Sequence, residues 1–180
     1  MFNNTLIMDK SNRTLVPPAG NEIQNGAKNT AIGAVRELGH VVLYVGDLER
    51  SRRFYGGVLG INEVAQIGEM FAVFSSGRTH HELLLIQVGI NANPIPPEPR
   101  IGLYHIGLKV GESDDELREA VARVKAAGVP IEGMADHTVT HSVYIKDPDG
   151  NEIELYIDVQ PPIWRNNPKA IIAPTRPLYL

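Results

Sequence analysis

Apolar and polar positions alternate most clearly near the end of the chain. Ser142-Val143-Tyr144-Ile145-Lys146 alternates, Asp147-Pro148-Asp149-Gly150 supplies the Pro and Gly of a tight turn, and Glu152-Ile153-Glu154-Leu155-Tyr156 alternates again. This spacing predicts a β-hairpin. A period of two puts Glu152, Glu154 and Tyr156 on one face and Ile153, Leu155 and Ile157 on the other. A carboxylate flanked in this way is costly to bury alone, so it needs a cationic side chain or a metal ion.

The pattern occurs twice. Gly39-His40-Val41-Val42-Leu43-Tyr44-Val45-Gly46-Asp47 matches Tyr104-His105-Ile106-Gly107-Leu108-Lys109-Val110-Gly111-Glu112 without a gap, and the histidines are 65 positions apart. The segment from Phe74 to Val88 aligns with Tyr144 to Asp158 at a spacing of 70, so Leu84 stands where the second copy has Glu154. If the copies fold alike about a pseudo-twofold axis, the equivalent positions are His40, Leu84, His105 and Glu154. That set offers two imidazoles and one carboxylate.

The remaining elements follow the same order in each copy. In the first, Asp47 is placed to cap a helix whose stripe is Leu48, Phe54, Tyr55 and Val58 before Gly60, and strands follow near 61–67, 70–75 and 81–88. In the second, Ser113 and Glu116 form a capping box, Leu117, Ala120, Val121, Val124 and Ala127 form the buried stripe, and Gly128 ends it. Strands are expected near 131–132, 142–146 and 152–158. Between the copies, NANPIPPEPR at 91–100 holds four prolines and reads as a linker.

The chain thus divides into an extended or partly helical N-terminal arm (1–35), a domain over 36–160, and a Pro-rich C-terminal arm (161–180). The domain comprises a first module (36–90), the linker (91–100) and a second module (101–160). The C-terminal arm is expected to wrap the core with Trp164 as its anchor.

At 180 residues the chain can bury a sizeable core. Its net charge of −4, with no basic run, argues against nucleic acid or an anionic membrane as partner. No cysteine is present, so any metal must be held by His and carboxylate. No apolar run reaches membrane-spanning length and the start has no signal-peptide stretch, so a cytoplasmic protein is expected. Paired modules with two arms suggest a homo-oligomer, a dimer or larger.

Two histidines and a glutamate match the facial triad associated with non-haem Fe(II), although imidazole also suits Mn, Ni and Zn. His81 opens the last strand of the first copy, where a neutral imidazole could accept and return a proton near neutral pH. Adjacent His80 should point the other way. His137 and Tyr144 are candidates for outer hydrogen bonds, and His141 reads as structural.

These residues resemble the vicinal-oxygen-chelate superfamily (glyoxalase, bleomycin-resistance and dioxygenase proteins), and within it a small two-module type I extradiol dioxygenase. Four segments carry the resemblance: Leu38 to Val45 with Phe54-Tyr55 and Leu59-Gly60, Thr79-His80-His81-Glu82-Leu83, Tyr104-His105-Ile106, and Asp136-His137 through Asp147-Pro148-Asp149-Gly150-Asn151 to Tyr156. It implies an α+β fold of two βαβββ modules forming a half-open mixed β-barrel around a metal. It further implies Fe(II), or else Mn(II) or another divalent metal, on His40, His105 and Glu154, with His81 as acid–base residue. His137 and Tyr144 would hydrogen-bond the substrate oxygens, and the substrates would be a catechol-type aromatic diol and O2. Larger members add a second pair of modules, which this chain lacks. Two other functions share the scaffold: a glyoxalase-type isomerase, epimerase or thiol transferase, which generally uses a fourth protein ligand where this chain has Leu84, and a non-enzymatic binder of small molecules or drugs.

Overall fold

The structure is a computed structural model that describes residues 32–97 and 99–180. Most of the N-terminal arm, residues 1–31, lies outside the described residues, as does its expected partial helicity. The first module contains β1 (Val41–Val45), α1 (Leu48–Arg52) continued by a π-helical turn (Arg53–Val58), β2 (Asn62–Ile67), β3 (Phe71–Ser75) and β4 (Leu83–Gln87). The second contains β5 (His105–Gly111), α2 (Asp114–Ala126), β6 (Gly133–Asp136), β7 (Thr140–Lys146) and β8 (Glu152–Asp158). The C-terminal arm adds α3 (Pro162–Asn166), a 3-10 turn (Pro168–Ile172) and β9 (Arg176–Pro177). This is the α+β architecture of two βαβββ modules.

The modules repeat in register as well as in order. The first sheet runs β1-β4-β3-β2, the second β5-β8-β7-β6-β9, and in each the first and last strands of the module pair in parallel. Val42 lies opposite Leu84, as Gly107 lies opposite Glu154. Between β3 and β4 the ungapped alignment slips by one residue. Val73 pairs with Leu84 and Tyr144 pairs with Glu154, so Val73, not Phe74, occupies the place of Tyr144. The 76–82 connection absorbs the extra residue.

Local chemistry accounts for most boundaries. Asp47 accepts a hydrogen bond from the Arg50 N–H and starts α1. At α2 the Ser113 hydroxyl caps the Glu116 N–H while the Glu116 carboxylate accepts from the Glu112 N–H, and Gly128 follows at φ +73. β6 begins at Gly133 rather than at Ile131, because pairing with β7 decides its position. The helices cover one face of each sheet, and the buried cluster draws on both modules: Leu43, Val45, Tyr55, Phe74 and Leu85 from the first, and Leu117, Val124, Val143, Ile145 and Leu155 from the second.

Polar contacts also cross between the modules. The buried Tyr55 hydroxyl donates to Asp147 Oδ2 at 2.8 Å, and Asp149 Oδ1 accepts from the Gly46 N–H and from Arg50. The turn of the β7–β8 hairpin is thereby fixed to the first module. Leu178 and Leu180 pack against the core cluster from the C-terminal arm, whereas Trp164 is only partly buried and lies outside that cluster, so it is not the arm's anchor. No helix among the described residues is long and apolar enough to cross a membrane.

Candidate metal centre

Alternation on β8 and β7 places Glu152, Glu154 and Tyr144 on the sheet face away from α2, and β5 brings His105 beside them. His105 Nε2 lies 3.2 Å from Glu154 Oε2, and His105 Nδ1 lies 3.5 Å from Glu152 Oε1. The Tyr144 hydroxyl donates to Glu154 Oε1 at 3.2 Å, and His137 Nε2 is 2.8 Å from the same hydroxyl. Gly107 leaves room for this arrangement, since a Cβ there would come within 3.4 Å of Glu154 Oε2.

Electrostatics follow from this packing. The hydrogen bond to Glu154 raises the His105 pKa, with Glu152 adding to the effect, against burial which lowers it. Burial pushes the Glu154 carboxyl up, but bonds with His105, Ser142 and Tyr144 outweigh it and hold the group below the usual carboxylate range. Burial first and the Glu154 charge second raise the Tyr144 phenol, which therefore stays protonated and able to donate.

The first module presents a different group. His40, just before β1, stacks beside His81 with ring centroids 4.5 Å apart, and His81 stands equally close to His80. Loss of hydration, then repulsion from His80 and His40, hold the His81 pKa below the ordinary imidazole value. His81 lies in the loop before β4 rather than on the strand. Both histidines of the pair turn toward this cluster, contrary to the expectation of opposite orientations. Their loop position explains it, since strand alternation does not govern there.

His105, Glu154, Tyr144 and His137 are therefore brought together by direct contacts, while His40 and His81 pack with His80. β1 and β5 are edge strands of different sheets, so no strand pairing holds His40 beside His105. Among the described residues no set of three His, Asp or Glu side chains is disposed to hold an ion. His105 and Glu154 fit a metal as two members of such a set. Donors each about 2.1 Å from one ion at a right angle stand about 3 Å apart, close to the separation seen.

His141 lies on the opposite face of β7, 2.6 Å from Asp114 Oδ1, in the structural role expected of it. Glu152 is directly opposite His105 in the β5–β8 register. That register was the signal that could have found it. Thr175 Oγ1, 3.1 Å from His137 Nδ1, had no such signal. A cleft of about 850 Å3 touches His40 and Gly107 but not His105, Glu154, Tyr144 or His137, and so follows the seam between modules.

The chain is 31% identical over 138 residues to a catechol-2,3-dioxygenase of Bacillus subtilis, covering 77% of this chain and 47% of the relative. It is 30% identical over 125 residues to a biphenyl-2,3-diol 1,2-dioxygenase of Rhodococcus globerulus, covering 69% and 64%. This chain thus spans about half to under two thirds of the length of those relatives. A solved lactoylglutathione lyase from Agrobacterium tumefaciens superposes with a TM-score of 0.53 at 29% identity, covering 69% of this chain and 95% of that one. Residues 37–155, which span the first module and the second as far as Leu155 in β8, match one family profile, and the chain belongs to the Glyoxalase/Bleomycin resistance protein/Dioxygenase superfamily.

Proposed function

We propose that this protein is a metal-dependent extradiol dioxygenase that inserts both atoms of O2 into a catechol-type aromatic diol, with His40, His105 and Glu154 holding Fe(II). The observation that carries the reading is the close pair of His105 Nε2 and Glu154 Oε2, backed by Tyr144 and His137 on one polar face. A redox-active ion at these donors would supply the means of joining the diol and O2, and together those two substrates contain every atom and electron of the product.

The chain's own residues account for binding and proton handling. Tyr144 and His137 hydrogen-bond the diol oxygens. Tyr144 serves as a donor because its phenol stays protonated. His81 accepts a diol proton, favoured by an imidazole held neutral beside two others. Leu84 leaves the first module without a carboxylate at the position of Glu154, so the set has three protein ligands rather than four. Assembly as a homo-oligomer belongs to the same reading and is supported by the apolar outer face of the first sheet, where Val42 is 43% and Tyr44 71% exposed.

A glyoxalase-type isomerase is the second reading, favoured by the lactoylglutathione lyase neighbour of nearly this domain's size. The deciding experiment loads the protein anaerobically with Fe(II) and follows O2 uptake and absorbance against a panel of catechols. Uptake matched by a yellow ring-opened product is the expected result. Iron retained with no uptake across the panel, together with turnover of a hemithioacetal, would overturn the dioxygenase reading in favour of the isomerase.

A further inference from the structure

The C-terminal arm lies beyond the family match at 37–155, yet it returns to the candidate centre. β9 pairs antiparallel with β6, placing Arg176 opposite Asp136 and so bringing Thr175 beside His137. Thr175 Oγ1 is 3.1 Å from His137 Nδ1, His137 Nε2 is 2.8 Å from the Tyr144 hydroxyl, and that hydroxyl is 3.2 Å from Glu154 Oε1. The backbone aiming His137 is strained: Thr138, a β-branched residue, sits at φ +72, held by its N–H donating to Asp136 Oδ1 and by the His137 N–H donating to Thr140 O. A left-handed β-branched residue is strained and persists where its surroundings fix it.

The hydrogen bond from Tyr144 to Glu154 sets the direction of the row. An ionised carboxylate only accepts, so the Tyr144 proton goes to Glu154. Tyr144 Oη must then accept from His137 Nε2–H, and a neutral imidazole with its proton on Nε2 has a bare Nδ1 that needs a donor. The Thr175 hydroxyl is the group placed to be that donor. We propose that Thr175 is a positioning residue that holds His137 in its Nε2–H tautomer and so keeps its N–H directed at the Tyr144 hydroxyl of the candidate centre. The C-terminal arm thereby becomes part of the site's construction. The value of that tautomer for turnover rests on the dioxygenase reading; the tautomer itself does not.

The test is the ring 15N spectrum of His137 in the full-length, metal-free protein at about pH 8.5. The unsubstituted protein is expected to show the Nε2–H pattern, Thr175→Val a mixed or Nδ1–H pattern, and Thr175→Ser recovery of the first. A Thr175→Val spectrum identical to that of the unsubstituted protein, or an Nδ1–H pattern in the latter, overturns the proposal. Intact amide resonances of β6 and β9 show that the arm remains docked; should Thr175→Val undock it, Tyr144→Phe, which removes the acceptor of Nε2–H, must shift the same pattern. In iron-loaded protein Thr175→Val is expected to lower kcat roughly tenfold, with Thr175→Ser restoring it. A tautomer shift in a protein that cleaves no catechol leaves the positioning role standing and removes only the proposed function.

Discussion

The two modules place the same backbone around different chemistry. In the second, the pairs Tyr144↔Glu154 and His105↔Glu152 make a polar face whose members bond to one another. In the first, the corresponding pair is Val73↔Leu84, flanked by Val42 and Tyr44, and the only imidazoles are His40 and the loop pair His80 and His81. Strand register was kept while side chains diverged. A βαβββ unit supplies positions, and a carboxylate at one of them decides whether the face is a hydrogen-bonded polar surface or an apolar wall.

The sharpest way to break the comparison is Glu154→Ala, which makes the second face resemble the first. Bound iron, measured by metal analysis after desalting, is expected to fall by roughly 100-fold or more with circular dichroism unchanged; full occupancy would end the assignment of Glu154 as a ligand. The converse change, Leu84→Glu, puts a carboxylate on the half-buried apolar face beside Val42, and a loss of about 2 kcal/mol in denaturant unfolding is expected. An unchanged midpoint would mean His40 compensates the new charge as His105 does in the second module.

Acid distinguishes the faces by sign. The His105 pKa is raised, so in metal-free protein its contribution is complete below the ordinary value of 6.5 and is lost as pH rises through the raised one. The Glu154 pKa is lowered, so its contribution is present above 4.5 and is lost as pH falls through the lowered one. The pair is thus fully stabilising between 4.5 and 6.5. His81, with its pKa lowered, acts in the opposite direction, and stability gains as pH rises toward 6.5. Melting temperature against pH should lose its alkaline-side decline in His105→Gln and its acid-side rise near neutrality in His81→Phe.

Smaller effects test what holds the faces in place. Tyr55→Phe leaves Asp147 Oδ2 with the Asn151 side-chain amide but without the phenol, and a loss of about 1–2 kcal/mol is expected. The least change should come from Thr138→Gly, since the β2–β3 turn already makes its left-handed step with Gly68 at φ +57. Relief of strain should offset the added chain entropy to within about 1 kcal/mol, and a calorimetric Tm shift beyond a few degrees would show that Thr138 does more than direct the turn.

Much of this was legible in the sequence, because it rested on local chemistry. The α2 capping box and the β8 alternation gave those elements their observed limits, and the repeat paired His105 with Glu154 on one face. Features that depend on distant contacts were less visible. The 131–132 strand moved to Gly133–Asp136 because β7 sets its register, and α1 passed into a π-helical turn that no apolar stripe announces. The arrival of Thr175 at His137 depends on a chain reversal 38 residues downstream, for which no periodic signal exists.

The contacts between Tyr55, Gly46 and the hairpin turn at Asp147 and Asp149 have a consequence for synthesis. They join residues 92 and 103 positions apart, so the first module leaves the ribosome long before its partners are made. Until then the Tyr55 hydroxyl and the Gly46 amide lack their native acceptors, and an apolar interior built jointly with the second module stands half open. The nascent first module must wait for the last third of the chain, and it is during this interval that a growing polypeptide of this design is most exposed to misassociation.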